Sequence, residues 1–364
     1  MFSMIERTKI HPQGRRGRGA VSNASGRFEA TQRVATDDGW GALDAEPPPL
    51  NTKVIRDSSR TVIATNRSPD IAFDQSINPY RGCEHGCIYC FARPTHAFLG
   101  LSPGLDFEST LLMKPDAPAL LARELRRPRY ACKVIAMGTN TDPYQPLEKR
   151  MRITREILKV LDAFNHPVGI VTKSNLIARD LDILGPMARR GLAKVCVSVT
   201  TLDRALARRM EPRAPTPNRR VEAIAALRRA GVPTGVMASP MVPALNDPEL
   251  ENILEAAAQA GATEAGYILL RLPLEIKDLW REWLEEHYPD RAARIMSHIR
   301  AARGGKDYDA QWNKRMTGGG PYAAMIARRF KLATKRLGLN EQRLKLDTSQ
   351  FCPPPEQGDQ LSLL

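Results

Sequence analysis

Three cysteines lie close together in the first quarter of the chain. Cys83, Cys87 and Cys90 have the spacing C-x3-C-x2-C, and the whole chain holds only six cysteines. Thiolates are soft ligands that select zinc, copper or an iron–sulfur cluster. A structural zinc site takes four protein ligands, usually from two paired motifs, and no second pair lies nearby. A cluster held by three cysteines leaves one iron open to another molecule. The spacing therefore favours a cluster, with a zinc loop as the alternative.

The cysteine motif resembles that of the radical SAM superfamily. In that family three cysteines hold a 4Fe-4S cluster, and the amino and carboxylate groups of S-adenosylmethionine chelate its fourth iron. Tyr89, just before the last cysteine, fits the usual form of the motif. The flanking residues 77–82 and 91–94 are similar to the DNA repair photolyase-like branch, to which spore photoproduct lyases are related. The resemblance covers residues 70–275.

The resemblance implies an enzyme with a 4Fe-4S cluster and S-adenosylmethionine as cofactors. A reduced cluster would cleave S-adenosylmethionine to a 5′-deoxyadenosyl radical, which abstracts hydrogen from a substrate held in the barrel. A low-potential electron donor of the flavodoxin or ferredoxin type would then be required. Nucleic acid is the preferred substrate class, and a protein or small molecule is the alternative. A nucleic-acid-binding module with a structural metal site is the alternative of a different class.

Strand and helix patterns alternate around and after the cysteines, and these elements must position them. With a first strand near 73–79 the pattern gives about six β/α units, which predicts parallel strands buried on both faces. Six units match the open (β/α)6 partial TIM barrel that the family uses. The later strands are predicted at 134–138, 168–172, 195–199, 236–238 and 267–270.

The polar run after the second predicted strand is a candidate cofactor site, because reactive groups gather at the carboxyl ends of strands in such barrels. The family often has a Gly-Gly-Glu sequence here, which holds the methionine amino group of S-adenosylmethionine. This chain lacks those letters, and Thr139, Asn140 or Asp142 are the candidate substitutes. A plain turn at Asp142 is the alternative.

Two further polar residues match contacts in photoproduct lyases. Lys173 matches a lysine that contacts the methionine carboxylate, and an ammonium suits that role. Ser198 matches another polar contact, although a serine of the barrel interior would look the same. Glu211 follows the fourth strand and either reaches the site or forms an exposed loop ion pair. Photoproduct lyases place a hydrogen-returning cysteine near the position of Gly138, and its absence argues against photoproduct lyase activity itself.

The chain carries a net charge of +14, and residues 291–345 hold fourteen Lys/Arg against three Asp/Glu, a net charge of +11. A cationic surface attracts phosphate backbones, so this segment is the candidate nucleic-acid contact; a solubilising helix face is the alternative. The domain prediction has four parts: a disordered basic, Gly- and Pro-rich tail over 1–52, the barrel over 53–275, a basic helical extension over 276–345 and a flexible tail over 346–364.

The chain has no apolar run of 18 residues, so we expect no membrane span. Its first residues lack the apolar core of a signal peptide, and six cysteines in so long a chain favour metal or reduced thiols over disulfides. We therefore expect a cytoplasmic protein.

Overall fold

The computed structural model describes residues 10–31 and 49–355. The predictions for 1–9, 32–48 and 356–364 lie outside these residues. The strands are β1 (Lys53–Arg56), β2 (Ile63–Thr65), β3 (Gln75–Ile77), β4 (Tyr80–Arg81), β5 (Thr110–Met113), β6 (Ile135–Met137), β7 (Val168–Thr172), β8 (Ala193–Ser198), β9 (Thr234–Met241) and β10 (Glu264–Leu269). The helices are α1 (Asp106–Ser109), α2 (Ala117–Leu125), α3 (Glu148–Met151), α4 (Ile153–Ala163), α5 (Leu181–Arg189), α6 (Arg204–Met210), α7 (Pro217–Arg229), α8 (Leu250–Gln259), α9 (Ile276–His287), α10 (Pro289–Ala301) and α11 (Gly320–Arg336).

A seven-stranded sheet forms the centre of the molecule, in the order β10-β9-β8-β7-β6-β3-β2. Strands β3 and β6 to β10 run parallel, and β2 lies antiparallel to β3 at one edge. Helices separate the parallel strands along the chain, as parallel connections require. The predicted open (β/α)6 partial barrel is confirmed, and β3 is the strand predicted near 73–79.

The local sequence explains how helices cover this sheet. Val195 and Val197 in β8 are buried and belong to one apolar cluster with Ile224 and Leu227 of α7. In α4 the buried residues Ile153, Ile157 and Leu161 are four positions apart, so they form one apolar face of the helix. The carboxyl ends of the parallel strands lie together at one end of the sheet, and the loops that carry function follow them there.

A second sheet of three strands, in the order β1-β5-β4, was not predicted. Strand β5 pairs in parallel with β1 and antiparallel with β4, which ends directly before Gly82 and the first cysteine. Strand β4 has two residues and β5 follows α1 without a loop. Elements this short leave no periodicity that a sequence pattern can reveal.

Residues 10–31, which we name the N-terminal strap, contradict the prediction of a disordered tail over 1–52. Ala20 and Val21 are fully buried beside Ile88 of the cysteine segment. Arg18 is buried as well, and its guanidinium donates to the carbonyl oxygen of Glu108 at 2.6 Å. The prediction failed because these partners are distant in sequence, so the strap needs no apolar periodicity of its own.

The last described residues contradict the predicted flexible tail over 346–364 in the same way. The ring of Phe351 lies 5.4 Å from that of Tyr130 and 5.5 Å from that of His166, measured between centroids. The N–H of Cys352 donates to the carbonyl oxygen of Phe164 at 3.1 Å. These contacts fix the chain up to residue 355 on the barrel.

The segment 276–345 contains α9, α10 and α11, in agreement with the helices predicted there. Trp280 and Trp283 of α9 are fully buried and stack with their ring centroids 5.0 Å apart. They belong to the same apolar cluster as the strap and the cysteine segment. Within residues 10–31 and 49–355, every helix is too short or too polar to cross a membrane.

Candidate functional site

The three cysteines lie on one loop after β4, which we name the cysteine loop (residues 82–90). Cys83 and Cys87 are buried, and Cys90 is partly exposed. The loop turns at Gly86, whose φ is +67°. A Cβ there would lie 2.6 Å from the Glu108 carboxylate, so only glycine fits. Local sequence thus makes a tight loop that gathers three thiols.

A buried ion pair supports the cysteine loop from outside. Arg93 is fully buried and donates to the carbonyl oxygens of Cys87 at 2.9 Å and Gly86 at 3.2 Å. Its guanidinium also lies 2.5 Å from the carboxylate of Glu108. That carboxylate accepts two backbone N–H groups of the strap, both at 2.8 Å. The Glu108 carboxylate therefore joins the loop to the strap. Because a buried charge is costly unless it is paired, both segments depend on this contact.

On the other side of the loop, Glu211 is the centre of a second buried network, which we name the inner network. Its carboxylate accepts hydrogen bonds from Tyr89 and Arg220, and from Thr200 at 2.7 Å. The Lys173 Nζ lies 4.0 Å from Glu211 and 5.7 Å from the centroid of the Tyr89 ring. The network therefore places one lysine and one carboxylate beside the cysteines.

The charged groups of the inner network stabilise each other's ionised forms. Burial raises the pKa of Glu211, but the charges of Arg220 and Lys173 and the hydrogen bonds it accepts outweigh burial and lower that pKa to about 2. Burial lowers the pKa of Lys173, but the neighbouring Cys87 and Glu211 outweigh burial and raise that pKa above its ordinary value. At neutral pH the site holds a carboxylate and an ammonium side by side.

Asp142 joins the end of β6 to β7 and to the cysteine loop. Its carboxylate accepts the Thr172 hydroxyl at 2.6 Å and the backbone N–H of Lys173 at 2.8 Å, and it lies 3.4 Å from the Nδ1 atom of His85. Burial raises the pKa of Asp142, but His85 and these hydrogen bonds outweigh it and lower the pKa to about 2. Its oxygens are thus engaged inside the protein.

The remaining predicted residues lie at the same end of the sheet. The Asn140 N–H donates to the side-chain oxygen of Asn78 at 3.1 Å, and the Asn78 amide donates to Thr139 at 3.5 Å. The side chains of Thr139 and Asn140 are partly exposed. Ser198 is buried at the end of β8, and its carbonyl oxygen accepts from Arg220 at 3.3 Å. The structure thus brings every predicted site residue to the same end of the sheet.

Sequence reasoning missed the partners that hold these residues. His85 could have been noticed because it lies inside the cysteine motif. Arg93 and Glu108, and likewise Arg220, carry no spacing that marks them as partners. Glu211 is 2% exposed, so the alternative of an exposed loop ion pair is wrong.

The donor set fits an iron–sulfur cluster. Burial raises the pKa of the Cys83 and Cys90 thiols, and it raises that of Cys87 to about 12, so a bound cation is needed to keep thiolates there. In the described chain no three His, Cys, Asp or Glu side chains surround one ion position. Thiolates are the ligands that iron–sulfur clusters take, so the chemistry of the three cysteines suits a cluster.

Known proteins are similar to this chain in sequence. The sequence model of the Radical SAM superfamily matches residues 77–257. An uncharacterised protein of Mycobacterium tuberculosis is 39% identical over 236 residues, which cover 64% of this chain and 69% of that protein. An uncharacterised protein of Methanocaldococcus jannaschii is 27% identical over 243 residues, which cover 66% of this chain and 86% of that protein.

Solved structures resemble this chain in fold. A mutant of spore photoproduct lyase superposes with a TM-score of 0.52 at 16% identity, covering 79% of this chain and 80% of that one. Spore photoproduct lyase complexed with dinucleoside spore photoproduct gives a TM-score of 0.51 at 15% identity, covering 78% of each chain. At such low identity the likeness concerns the arrangement of strands and helices.

Proposed function

Because this chain belongs to the radical SAM superfamily of enzymes, we propose that Cys83, Cys87 and Cys90 hold a 4Fe-4S cluster and that S-adenosylmethionine binds on the inner side of the cysteine loop. The observation that carries this is that two buried thiols and one partly buried thiol of a single loop lie beside the ion pair of Lys173 and Glu211. When bound, the two cofactors supply a 5′-deoxyadenosyl radical that abstracts hydrogen from the substrate.

The residues beside the cysteine loop have separate roles in this proposal. Lys173 keeps its positive charge and is the partner for the methionine carboxylate. Glu211 holds Lys173 and Tyr89 in place, and its bond to Arg220 keeps it ionised. Asp142 accepts the Thr172 hydroxyl and the backbone N–H of Lys173, so it is a positioning residue. This leaves the side chains of residues 139 and 140, partly exposed at the end of β6, as candidates for the methionine amino group.

The test is anaerobic reconstitution with iron and sulfide, reduction with dithionite, addition of S-adenosylmethionine and assay of 5′-deoxyadenosine. We expect nucleoside from the wild type, none from Cys87→Ala, and wild-type yield from Cys352→Ala, which removes an exposed cysteine outside the loop. Iron content and the absorbance of the cluster should fall only in Cys87→Ala. A reduced, fully loaded wild type that forms no nucleoside would refute the proposed chemistry.

We further propose a nucleic acid as the substrate class, on the grounds of an aromatic and cationic surface at the carboxyl end of β10. Phe91 directly follows the last cysteine and is 45% exposed, and the Arg271 guanidinium lies 5.0 Å from the centroid of its ring. The loop 302–319 packs on the end of β10 and carries Trp312, which is 60% exposed. Exposed aromatic rings beside cations provide stacking platforms for unpaired bases.

The charge of residues 291–345 is only partly available to such a substrate. Arg303 is buried and donates to the carbonyl oxygen of Leu270 at 2.8 Å. Arg315 pairs with Asp70. Lys306 and Lys314, on the same loop as the exposed tryptophan, are exposed. The nucleic-acid contact is therefore narrower than the sequence predicted and concentrates on this loop.

Binding of a fluorescent single-stranded oligonucleotide tests the substrate class. Trp312→Ala should weaken binding by about 1–3 kcal/mol if a base stacks on the indole. The control is Leu332→Ala, which removes an equally exposed side chain (59%) from α11 and should leave binding unchanged. If the oligonucleotide does not bind, or if both variants bind like the wild type, a protein or small-molecule substrate takes precedence.

A further inference from the structure

Two adjoining cavities, of about 390 and 650 Å³, lie against the cysteine loop. Lys149 and Arg213 line both of them, so together they form one groove. Glu84 lines the larger cavity and His85 the smaller one, and both residues belong to the cysteine loop itself. The lining residues differ from those of the inner network, so the groove lies on another side of the loop.

The groove is cationic. Lys149 and Arg150 are adjacent on α3 and exposed, and the side chain of Arg213 is 35% exposed. Arg18 of the strap also lines the larger cavity. Glu84 is the single carboxylate that lines the groove in the described chain, and Arg213 lies 3.2 Å from it. The positive charge therefore exceeds the negative charge across the whole groove.

The position of the groove suits electron transfer. Its lining includes Glu84 and His85, two of the three residues between the first two cysteines of the motif, so the groove borders the loop that would hold the cluster. Electron transfer between proteins slows steeply with distance, so an electron carrier should bind close to the cluster that it reduces. The inner side of the loop remains available to S-adenosylmethionine and the substrate.

We propose that this groove is the docking site of an acidic, low-potential one-electron carrier protein; the proposal rests on the function proposed above. Transient electron-transfer encounters bury small interfaces. Their association depends on complementary charge, which speeds encounter and weakens as ionic strength rises. A small cationic groove beside the proposed cluster suits such a transient, charge-dependent encounter.

The experiment compares two reductants and two variants of equal charge change. The groove variant is Lys149→Glu with Arg150→Glu. The control variant is Arg127→Glu with Arg129→Glu, two exposed cations that precede β6 and so lie at the opposite end of the sheet. With enzymatically reduced flavodoxin at low salt, 5′-deoxyadenosine formation by the groove variant should fall roughly tenfold or more. With dithionite it should be unchanged, and the control variant should match the wild type with both reductants.

Titration with oxidised flavodoxin, followed by flavin fluorescence, gives a readout that does not need turnover. We expect weaker binding for the groove variant alone, and wild-type affinity that declines with added salt. Equal binding by both variants, a matching loss with dithionite, or a dithionite-active wild type that binds no flavodoxin would each overturn the proposal. A wild type inactive with dithionite refutes the proposed function instead, and the titration still decides the docking site.

Discussion

Two basic segments, the N-terminal strap and residues 291–345, use their charges in opposite ways. In the strap, Arg18 is buried and ends on backbone oxygens beside Glu108. In the C-terminal segment, Arg329 pairs with Glu251 at 2.6 Å, and both side chains are about one-third exposed, at 28% and 32%. The strap thus supports the site from inside the protein, whereas the C-terminal segment keeps much of its charge at the surface.

The difference shows that charge in a sequence does not reveal where the charge is used. The strap residues that bond to Glu108 precede it by 88 to 90 positions in the sequence. A buried pair whose partner is removed leaves an uncompensated charge, while an exposed pair is screened by water and salt. Perturbing each segment should therefore produce effects of different size.

The largest effect is expected from Glu108→Gln. The substitution leaves the buried Arg93 without its anion and replaces an oxygen that accepts strap N–H groups. Removing one partner of a buried pair costs about 3–5 kcal/mol of unfolding free energy, which chemical denaturation of the apoprotein measures. A loss below about 1 kcal/mol would mean that this pair behaves like a surface pair, and the contrast between the segments would fail.

Gly19→Ala should have the next largest effect, because a Cβ at Gly19 would lie 1.9 Å from the carbonyl oxygen of Gly86. Strap and cysteine loop would have to separate, and forced overpacking costs about 1–3 kcal/mol. Trypsin should then cleave faster in the strap after Arg18. The control is Gly169→Ala in β7, where no atom lies within 4 Å of the added Cβ; equal cleavage rates for the two variants would contradict a packed strap.

The barrel and the cysteine loop could be predicted because their signals are local. Strand periodicity and the spacing of three cysteines can be recognised within a short stretch of sequence. The strap, the pair of Arg93 and Glu108, and the burial of Glu211 could not be predicted. They depend on complementary groups that meet only after folding, and a lone Arg or Glu looks the same whether its partner is a buried ion or water.

The exposed part of the C-terminal segment gives a smaller, salt-dependent effect. Neutralising Lys306 and Lys314 with glutamine should weaken binding of a single-stranded oligonucleotide several-fold. The slope of log affinity against log salt should fall by about 0.7 for each phosphate that the protein no longer neutralises. The matched change of two other exposed cations, Arg127 and Arg129 to glutamine, should leave the slope unchanged. Equal slopes in all three proteins would remove this loop from the proposed nucleic-acid contact.

Glu251→Gln should have the smallest effect and the clearest pH dependence. The hydrogen bond from Arg329 lowers the pKa of Glu251 below its ordinary value of 4.5. A carboxyl with a lowered pKa stabilises the fold above pH 4.5, and that contribution disappears as the pH falls through its folded-state pKa. The variant should therefore lose about 0.5 kcal/mol at pH 7 and low salt, and its difference from the wild type should vanish in acid and shrink in high salt. A penalty that survives both treatments would show that Arg329 is held as firmly as the buried pair that supports the strap, and the two segments would then differ only in position.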